Sequence, residues 1–273
     1  HNYSADGEEG LITDWHWGAY DSLIDYPDRR GVSFRFLTED GHFNVDAFRE
    51  KVEDILTRQR NIVIILNGIA NNPTGYCMSV EEWQAAVDVL KNAVEGKDKN
   101  AVLVPDVAYL DYSGEKQECR RFFKVFGGLP KNILTIVAYT LSKGITLYGQ
   151  RQGAMIGITS DADVAKEFVD INQYASRATW SNCNSAAQNV MIDICSDSEK
   201  VARLDAERNT YFKLIGERAA IFMEEAKEAG VKFVPYISGF FITIPLEGAQ
   251  KVCDCLEKDN VFLVPMKIGI RLA

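Results

Sequence analysis

The sequence predicts an α/β protein: a mostly parallel sheet flanked by helices, with part of a smaller α+β domain after it. Three observations carry that reading. Between residues 60 and 160, β-branched runs of strand length alternate with helical patterns, which implies right-handed crossovers and a largely parallel sheet. From Ser198 to Ala229 one long helical pattern runs up to Gly230, a glycine in the C′ position. Beyond it, short apolar runs surround one further helical pattern, the composition of a small α+β unit. The domain change is placed inside the long helix, giving residues 1–204 and 205–273.

The elements follow in chain order. Thr13 to Tyr20 is aromatic and turn-like, and Asp40-Gly41 marks a turn. Val45 to Arg60 reads as an amphipathic helix with Phe48, Val52, Ile55 and Leu56 on one face. Ile62 to Leu66 is an unbroken apolar run, the pattern of a strand covered on both faces. A Gly/Asn/Pro loop leads from there to Tyr76. Ser79-Val-Glu-Glu82 is a capping box. It opens a helix with Trp83, Ala86, Val87, Leu90 and Val94 at helical spacing. Ala101 to Val104 is the next strand, with Pro105-Asp106 at its end. Residues 111–132 read as loop and helix, Ile133 to Ala138 as a buried strand, and Ala154 to Ile158 as a further strand. Helices are expected over 161–175 and 185–195. After Gly230, apolar runs at 231–234, 240–244 and 261–264 frame a helix over 247–258.

Composition narrows the function. The chain has 273 residues, 47% of them hydrophobic, enough for a substantial core. A net charge of −9 argues against non-specific nucleic-acid binding. The six cysteines include no Cys-x-x-Cys pair, and in a chain of this size they read as free thiols of a cytoplasmic protein. The three histidines are scattered, so no cluster has metal-ligand spacing and no metal is expected. No apolar run approaches the roughly 18 residues of a membrane helix, and no signal peptide is visible.

The chemistry concentrates after the predicted strands. Lys143 lies just beyond the 133–138 run, behind the hydroxyls of Thr140 and Ser142 and ahead of Arg151. A lysine off a strand end can form a Schiff base with a carbonyl, and hydroxyls with an arginine can hold a phosphate; a solvated surface lysine fits the same residues. Asp106 can pair with a protonated ring nitrogen or cap a turn. Tyr109 can hydrogen-bond a ring oxygen or pack in its loop. Asn72, opening Asn-Pro-Thr-Gly, can donate to a ligand or simply build a turn. Trp17 offers a face for a flat ring or for the core. Arg271 and Arg177 have the planar fork that suits carboxylates, or are surface arginines. In parallel sheets ligands bind beyond the carboxyl ends of strands, and Asn72, Asp106 and Lys143 each lie just past one.

Taken together these residues resemble the class I pyridoxal-phosphate (PLP) aminotransferases of fold type I, in particular the aspartate/aromatic branch. The shared features are Trp17-Gly, Asn72-Pro-Thr-Gly75, Asp106-x-x-Tyr109, Thr140-x-Ser-Lys143, Leu147-Tyr-Gly-x-Arg151-x-Gly153, Arg177 with Ser181-Asn182, and Gly-x-Arg271, in the family's order. The resemblance implies the fold type I large domain and transfer of an amino group between a dicarboxylic or aromatic L-amino acid and a 2-oxo acid. It implies Lys143 as Schiff-base lysine and proton carrier, and Asp106 on the pyridine nitrogen. It places Tyr109 and Asn72 on the ring oxygen and Trp17 against the ring. Arg151 with Thr140 or Ser142 would hold the phosphate, and Arg271 with Asn72 the substrate α-carboxylate. Arg177 would reach the distal group of a substrate in the partner's site, so a homodimer with shared sites is implied. Other PLP chemistry, such as a lyase or decarboxylase reaction, and a non-catalytic ligand-binding domain are the alternatives. The family carries a phosphate-binding loop before the Trp-Gly stretch and a region after Gly-x-Arg. With His1 as first residue, the chain is read as a fragment, expected to be inactive by itself while its parent is the enzyme.

Overall fold

A computed structural model describes residues 2–25 and 28–273; His1 lies outside the described residues. The chain opens with a strand that the sequence reading did not anticipate, β1 (Glu9–Thr13), buried along its whole length. A short helix, α1 (Ala19–Asp25), and a second strand, β2 (Arg30–Phe34), follow. The turn-like stretch from Thr13 to Tyr20 is therefore the passage from β1 into α1. β1 carries no side-chain alternation because it is interior, with β2 on one side and β3 (Asn61–Leu66) on the other. Its buried Glu9 is neutralised by Arg30 and Arg58.

Between β2 and β3 runs α2 (Val45–Arg58). The Asn44 side chain accepts from the Ala47 amide at 3.1 Å, and Phe48, Val52, Ile55 and Leu56 are buried as the periodicity requires. The capping box at Ser79 and Glu82 opens α3 (Val80–Val94). The same Glu82 carboxylate accepts from the Phe43 amide and the Tyr76 hydroxyl, so the cap also fixes two loops. Trp83 is fully buried and stacks on Phe122 at 5.3 Å between centroids. β4 (Asn100–Pro105) delivers Asp106. The region after it holds two 3₁₀ segments, Leu110–Tyr112 and Glu118–Phe126, in place of a regular helix.

β5 (Ile133–Thr140) outlasts the predicted run by two residues (140 − 138) and ends where Thr140 caps the single turn α4 (Leu141–Gly144). β6 (Gly153–Ile158) runs back antiparallel to β5. The helices α5 (Ala162–Thr179), α6 (Ser185–Cys195) and α7 (Ser198–Glu228) follow, the last stopped at Gly230, whose φ of +70° suits glycine. The end of the chain forms β7 (Ile242–Pro245), α8 (Ala249–Leu256), β8 (Val264–Met266) and β9 (Gly269–Leu272).

The large sheet has the order β2-β1-β3-β4-β5-β6, parallel except at β6. The small sheet is antiparallel, β7-β9-β8. Three expectations need correction. The run at 261–264 is a strand only at its last residue, Val264, where β8 begins. The run at 231–234 is not a strand: only the Val234 amide reaches β7, at the Thr243 carbonyl, and Pro235 ends the run. β3 is not equally covered on both faces, for its side chains alternate between buried and half-buried. The main core, with α2 and α3, lies on one face. The other face has a thin cluster of Val102, Leu134 and Ile136 under Phe168 of α5.

Candidate active site

Four parallel strands end on one edge of the sheet, and their following loops carry the polar residues. After β4, the Asp106 carboxylate accepts from the Ala108 amide at 2.9 Å and from the Tyr20 hydroxyl. Burial raises its pKa, and these two donors pull the other way. The Tyr20 hydroxyl is in turn held protonated well above its ordinary range by burial and by Asp106. Tyr20 is buried in α1, with Trp17 edge-on to it at 5.9 Å, while Trp17 itself stays about half exposed.

After β3, the loop from Asn67 to Gly75 is folded by its own side chains. Asn67 Oδ1 accepts from the Asn72 amide at 2.7 Å, and Asn71 Oδ1 accepts from the Thr74 hydroxyl at 2.8 Å. This turns the Asn72 side chain toward Tyr109. Burial and Asp106 push the Tyr109 pKa up to about 12, with Asn72 and Arg271 opposing. Arg271 arrives on β9 of the small sheet. Its Nη1 donates to Asn72 Oδ1 at 3.1 Å, its guanidinium carbon lies 4.5 Å from the centre of the Phe241 ring, and its buried Nε has no partner.

After β5, Thr140 Oγ1 accepts from the Ser142 amide at 3.1 Å and so starts the turn that carries Lys143. Arg151, in a left-handed conformation with φ of +52°, donates to the Tyr148 carbonyl at 2.7 Å and to Ser142 Oγ at 3.4 Å. Lys143 Nζ lies 4.8 Å from the centre of the Tyr148 ring and 5.6 Å from that of Tyr109. Partial burial lowers its pKa first, then the charges of Arg151 and Arg271. No carboxylate among the described residues pairs with Lys143, Arg151 or Arg271.

A cavity of about 410 Å³ lies between these groups. Trp17, Asn72, Asp106, Tyr109, Thr140, Ser142, Lys143, Arg151 and Arg271 are all in its lining. Arg177 is not among them: it is exposed at the end of α5 and bonds Ser181. The sequence reading missed Asn67, Tyr148 and Phe241 in the lining, and Tyr20 beneath it. Among the described residues no group of three or more His, Cys, Asp or Glu side chains could hold a metal ion, and no helix is long and apolar enough to cross a membrane.

The sequence pattern of the family described as "Aminotransferase class I and II" matches residues 4–269. The aromatic-amino-acid aminotransferase of Pseudomonas aeruginosa is 23% identical over 189 residues, 69% of this chain and 44% of that protein. The chain thus spans less than half the length of that relative. Among solved structures, an aminotransferase from Anaerococcus prevotii superposes with a TM-score of 0.96 at 35% identity, over 99% of this chain and 66% of that one. The aromatic-amino-acid aminotransferase of Burkholderia pseudomallei, solved covalently bound to pyridoxal phosphate, gives 0.73 at 20% identity, over 86% of this chain and 57% of that one, a likeness of fold alone.

Proposed function

The chain belongs to the class I and II aminotransferases, and on that footing we propose that it binds PLP around Lys143 and moves an amino group between an L-amino acid and a 2-oxo acid. One observation carries the reading: a single cavity holds a lysine of lowered pKa, a buried carboxylate, and two arginines that no carboxylate neutralises.

The donor set fits the cofactor. Asp106 suits the ring nitrogen, Tyr109 and Asn72 the ring oxygen, and the exposed face of Trp17 the ring itself. For the phosphate, Arg151 and Ser142 fit better than Thr140, whose hydroxyl accepts from the Ser142 amide and donates to the Gln152 carbonyl at 3.4 Å. The orphaned Nε of Arg271 points to a further anion, and a substrate α-carboxylate matches its fork. When bound, PLP supplies an electron-poor ring that takes up charge released at the carbon bearing the amino group.

The protein's own part follows from its geometry. Arg271 binds the α-carboxylate, with Asn72 fixing one arm of its fork and Phe241 its plane. That places the α-carbon in the cavity with Lys143. The lowered pKa makes it easier for Lys143 Nζ to lose its proton, and so to take the proton from that carbon and return it. Asp106, hydrogen-bonded by the Tyr20 hydroxyl and the Ala108 amide, would face the cationic ring nitrogen.

In the same reading residues 1–204 hold the cofactor, and residues 205–273 bring Arg271. Arg177, exposed and away from its own cavity, serves the far end of a dicarboxylic or aromatic substrate in a second copy of the chain. The protein is then a cytoplasmic homodimer with shared sites. The test supplies the full-length protein with PLP, a panel of L-amino acids and a 2-oxo acid acceptor. New amino acid and new 2-oxo acid in equal amounts support the reading. Release of CO₂ or ammonia without an acceptor overturns it.

A further inference from the structure

Lys143 sits on a turn of only four residues, Leu141–Gly144. So short a turn is weakly held by its own hydrogen bonds: the Ile145 and Leu147 amides reach the Leu141 carbonyl and the Thr146 amide the Lys143 carbonyl, all at 3.2–3.3 Å. The fixing groups come from outside. Arg208 of α7 donates through Nε to the Gly144 carbonyl at 3.0 Å. Its Nη1 lies 3.4 Å from Asp111 Oδ1 and 3.3 Å from Asp205 Oδ1. Asp111 also receives Arg120 at 2.5 Å and the Tyr139 hydroxyl at 2.8 Å. The Asp111 side chain is 4% exposed and that of Arg208 11%, so the cluster is shielded from solvent. Asp111 presses on the turn itself: a Cβ at Gly144 would stand 2.0 Å from Asp111 Oδ2. Neither Asp111 nor Arg208 lines the cavity.

We propose that Arg208 and Asp111 are positioning residues for Lys143, clamping the carbonyl end of its turn to α7 and so setting where Nζ stands in the cavity. Five elements meet at the clamp: the end of β5 through Tyr139, the lysine turn through Gly144, α7 through Arg208, and the two 3₁₀ segments through Asp111 and Arg120. Arg208 acts through the backbone, because the charges that bear on Lys143 are those of Arg151 and Arg271. A loosened turn lets Nζ swing out past Tyr148, which is largely exposed, into water. The amine then regains a more ordinary basicity. The clamp matters to amino-group transfer only if Lys143 has the role proposed above, but its effect on the lysine is separate from that role.

The experiment uses the full-length protein freed of PLP, so that Lys143 Nζ is an unblocked amine, and competitive acetylation of its lysines with acetic anhydride across pH. Peptide mass spectrometry reads Lys143 against Lys99, below each variant's unfolding temperature. Arg208→Gln is expected to move the Lys143 midpoint to higher pH and to slow its acetylation severalfold at mildly alkaline pH, leaving Lys99 unchanged. Arg208→Lys keeps the charge but cannot span both the Gly144 carbonyl and Asp111, so its midpoint is expected between the two. Glu9→Gln, which breaks a buried ion pair at the opposite edge of the sheet, is the control for lost stability. The proposal is overturned if Arg208→Gln lowers the unfolding temperature with the Lys143 curve in place, or if Glu9→Gln moves that curve equally. Where Arg208→Gln does not fold, an unmoved curve in Arg208→Lys is decisive against it. PLP followed by borohydride, on the wild type, reports separately on Lys143 as the cofactor's lysine. Failure there sinks that role, while the acetylation curves still judge the clamp.

Discussion

Arg271 and Asn72 stand 199 positions apart in the chain and meet through one hydrogen bond of 3.1 Å. The bond joins the last strand of the small sheet to the loop after β3 of the large one. Thr243 Oγ1 reinforces the junction by donating to the Pro73 carbonyl at 2.7 Å, in a buried contact. The carboxylate-binding face proposed here is therefore assembled only when both sheets are in place.

Arg271→Lys should raise KM for the amino acid while changing kcat less. A charged hydrogen bond contributes about 1.5–3 kcal/mol, so the expected loss is roughly tenfold to a hundredfold. Steady-state kinetics with the full-length enzyme, and binding of an unreactive carboxylic acid, check it. An unchanged KM would remove Arg271 from the substrate site.

Tyr20→Phe removes one of the two donors that offset the burial of Asp106. The Asp106 pKa, already raised, should rise further, and the acid limb of the kcat/KM profile should move to higher pH. The sign for stability follows. A carboxyl whose folded pKa lies above its unfolded value stabilises the fold while protonated, and that contribution is lost as pH rises through the folded pKa. Asp106→Asn should therefore unfold at a higher temperature than wild type at neutral pH and at an equal one in acid. Thermal unfolding followed across pH reads the difference.

Lys143→Met should abolish amino-group transfer yet stabilise the ligand-free protein at neutral pH. The folded pKa of Lys143 is lowered, so the unfolded chain holds its proton more firmly, and keeping the folded lysine charged costs stability. The advantage of Met should shrink as pH rises past the folded pKa toward the ordinary lysine value. It is modest, because Lys143 is only partly buried. Calorimetry of the two proteins at neutral and alkaline pH decides; a destabilised Lys143→Met at neutral pH contradicts the argument.

Gly75→Ala should damage both stability and substrate binding. Gly75 has φ of +76°, and a Cβ there would lie 2.3 Å from Tyr236 Cδ2 and 2.5 Å from the Phe241 carbonyl oxygen. The left-handed backbone alone costs a non-glycine residue about 1–2 kcal/mol, roughly 2–8 °C in unfolding temperature, with the clash in addition. Phe241 also lies under the Arg271 guanidinium, so KM should rise along with the loss of stability. A variant with normal Tm would show that the loop yields freely.

What could be read in the sequence was what lies close to a strand end. Asn72, Asp106 and Lys143 follow β3, β4 and β5 within a few residues, and the β-branched runs locate those strands. β1 and β2 escaped notice because each has five residues, with Glu9 and Arg30 at their starts and Gly10 and Gly31 within. Tyr20 was invisible for a related reason. It lies in a seven-residue helix and meets a carboxylate 86 positions away, a separation that no local pattern encodes. β9 is four residues long and is a strand only because β7 and β8 flank it. Arg208 looked like any other charge on a long helix until α7 was laid against the lysine turn.

The contact between Asp111 and Gly144 also governs how these two positions are free to vary. The Asp111 carboxylate cannot swing aside, since Arg120, Arg208 and Tyr139 hold both of its oxygens. While an acid is pinned there, position 144 is closed to every amino acid with a side chain. The order of mutation is then constrained. Replacement at 111 opens 144 to other residues, whereas replacement at 144 first displaces the turn that carries Lys143.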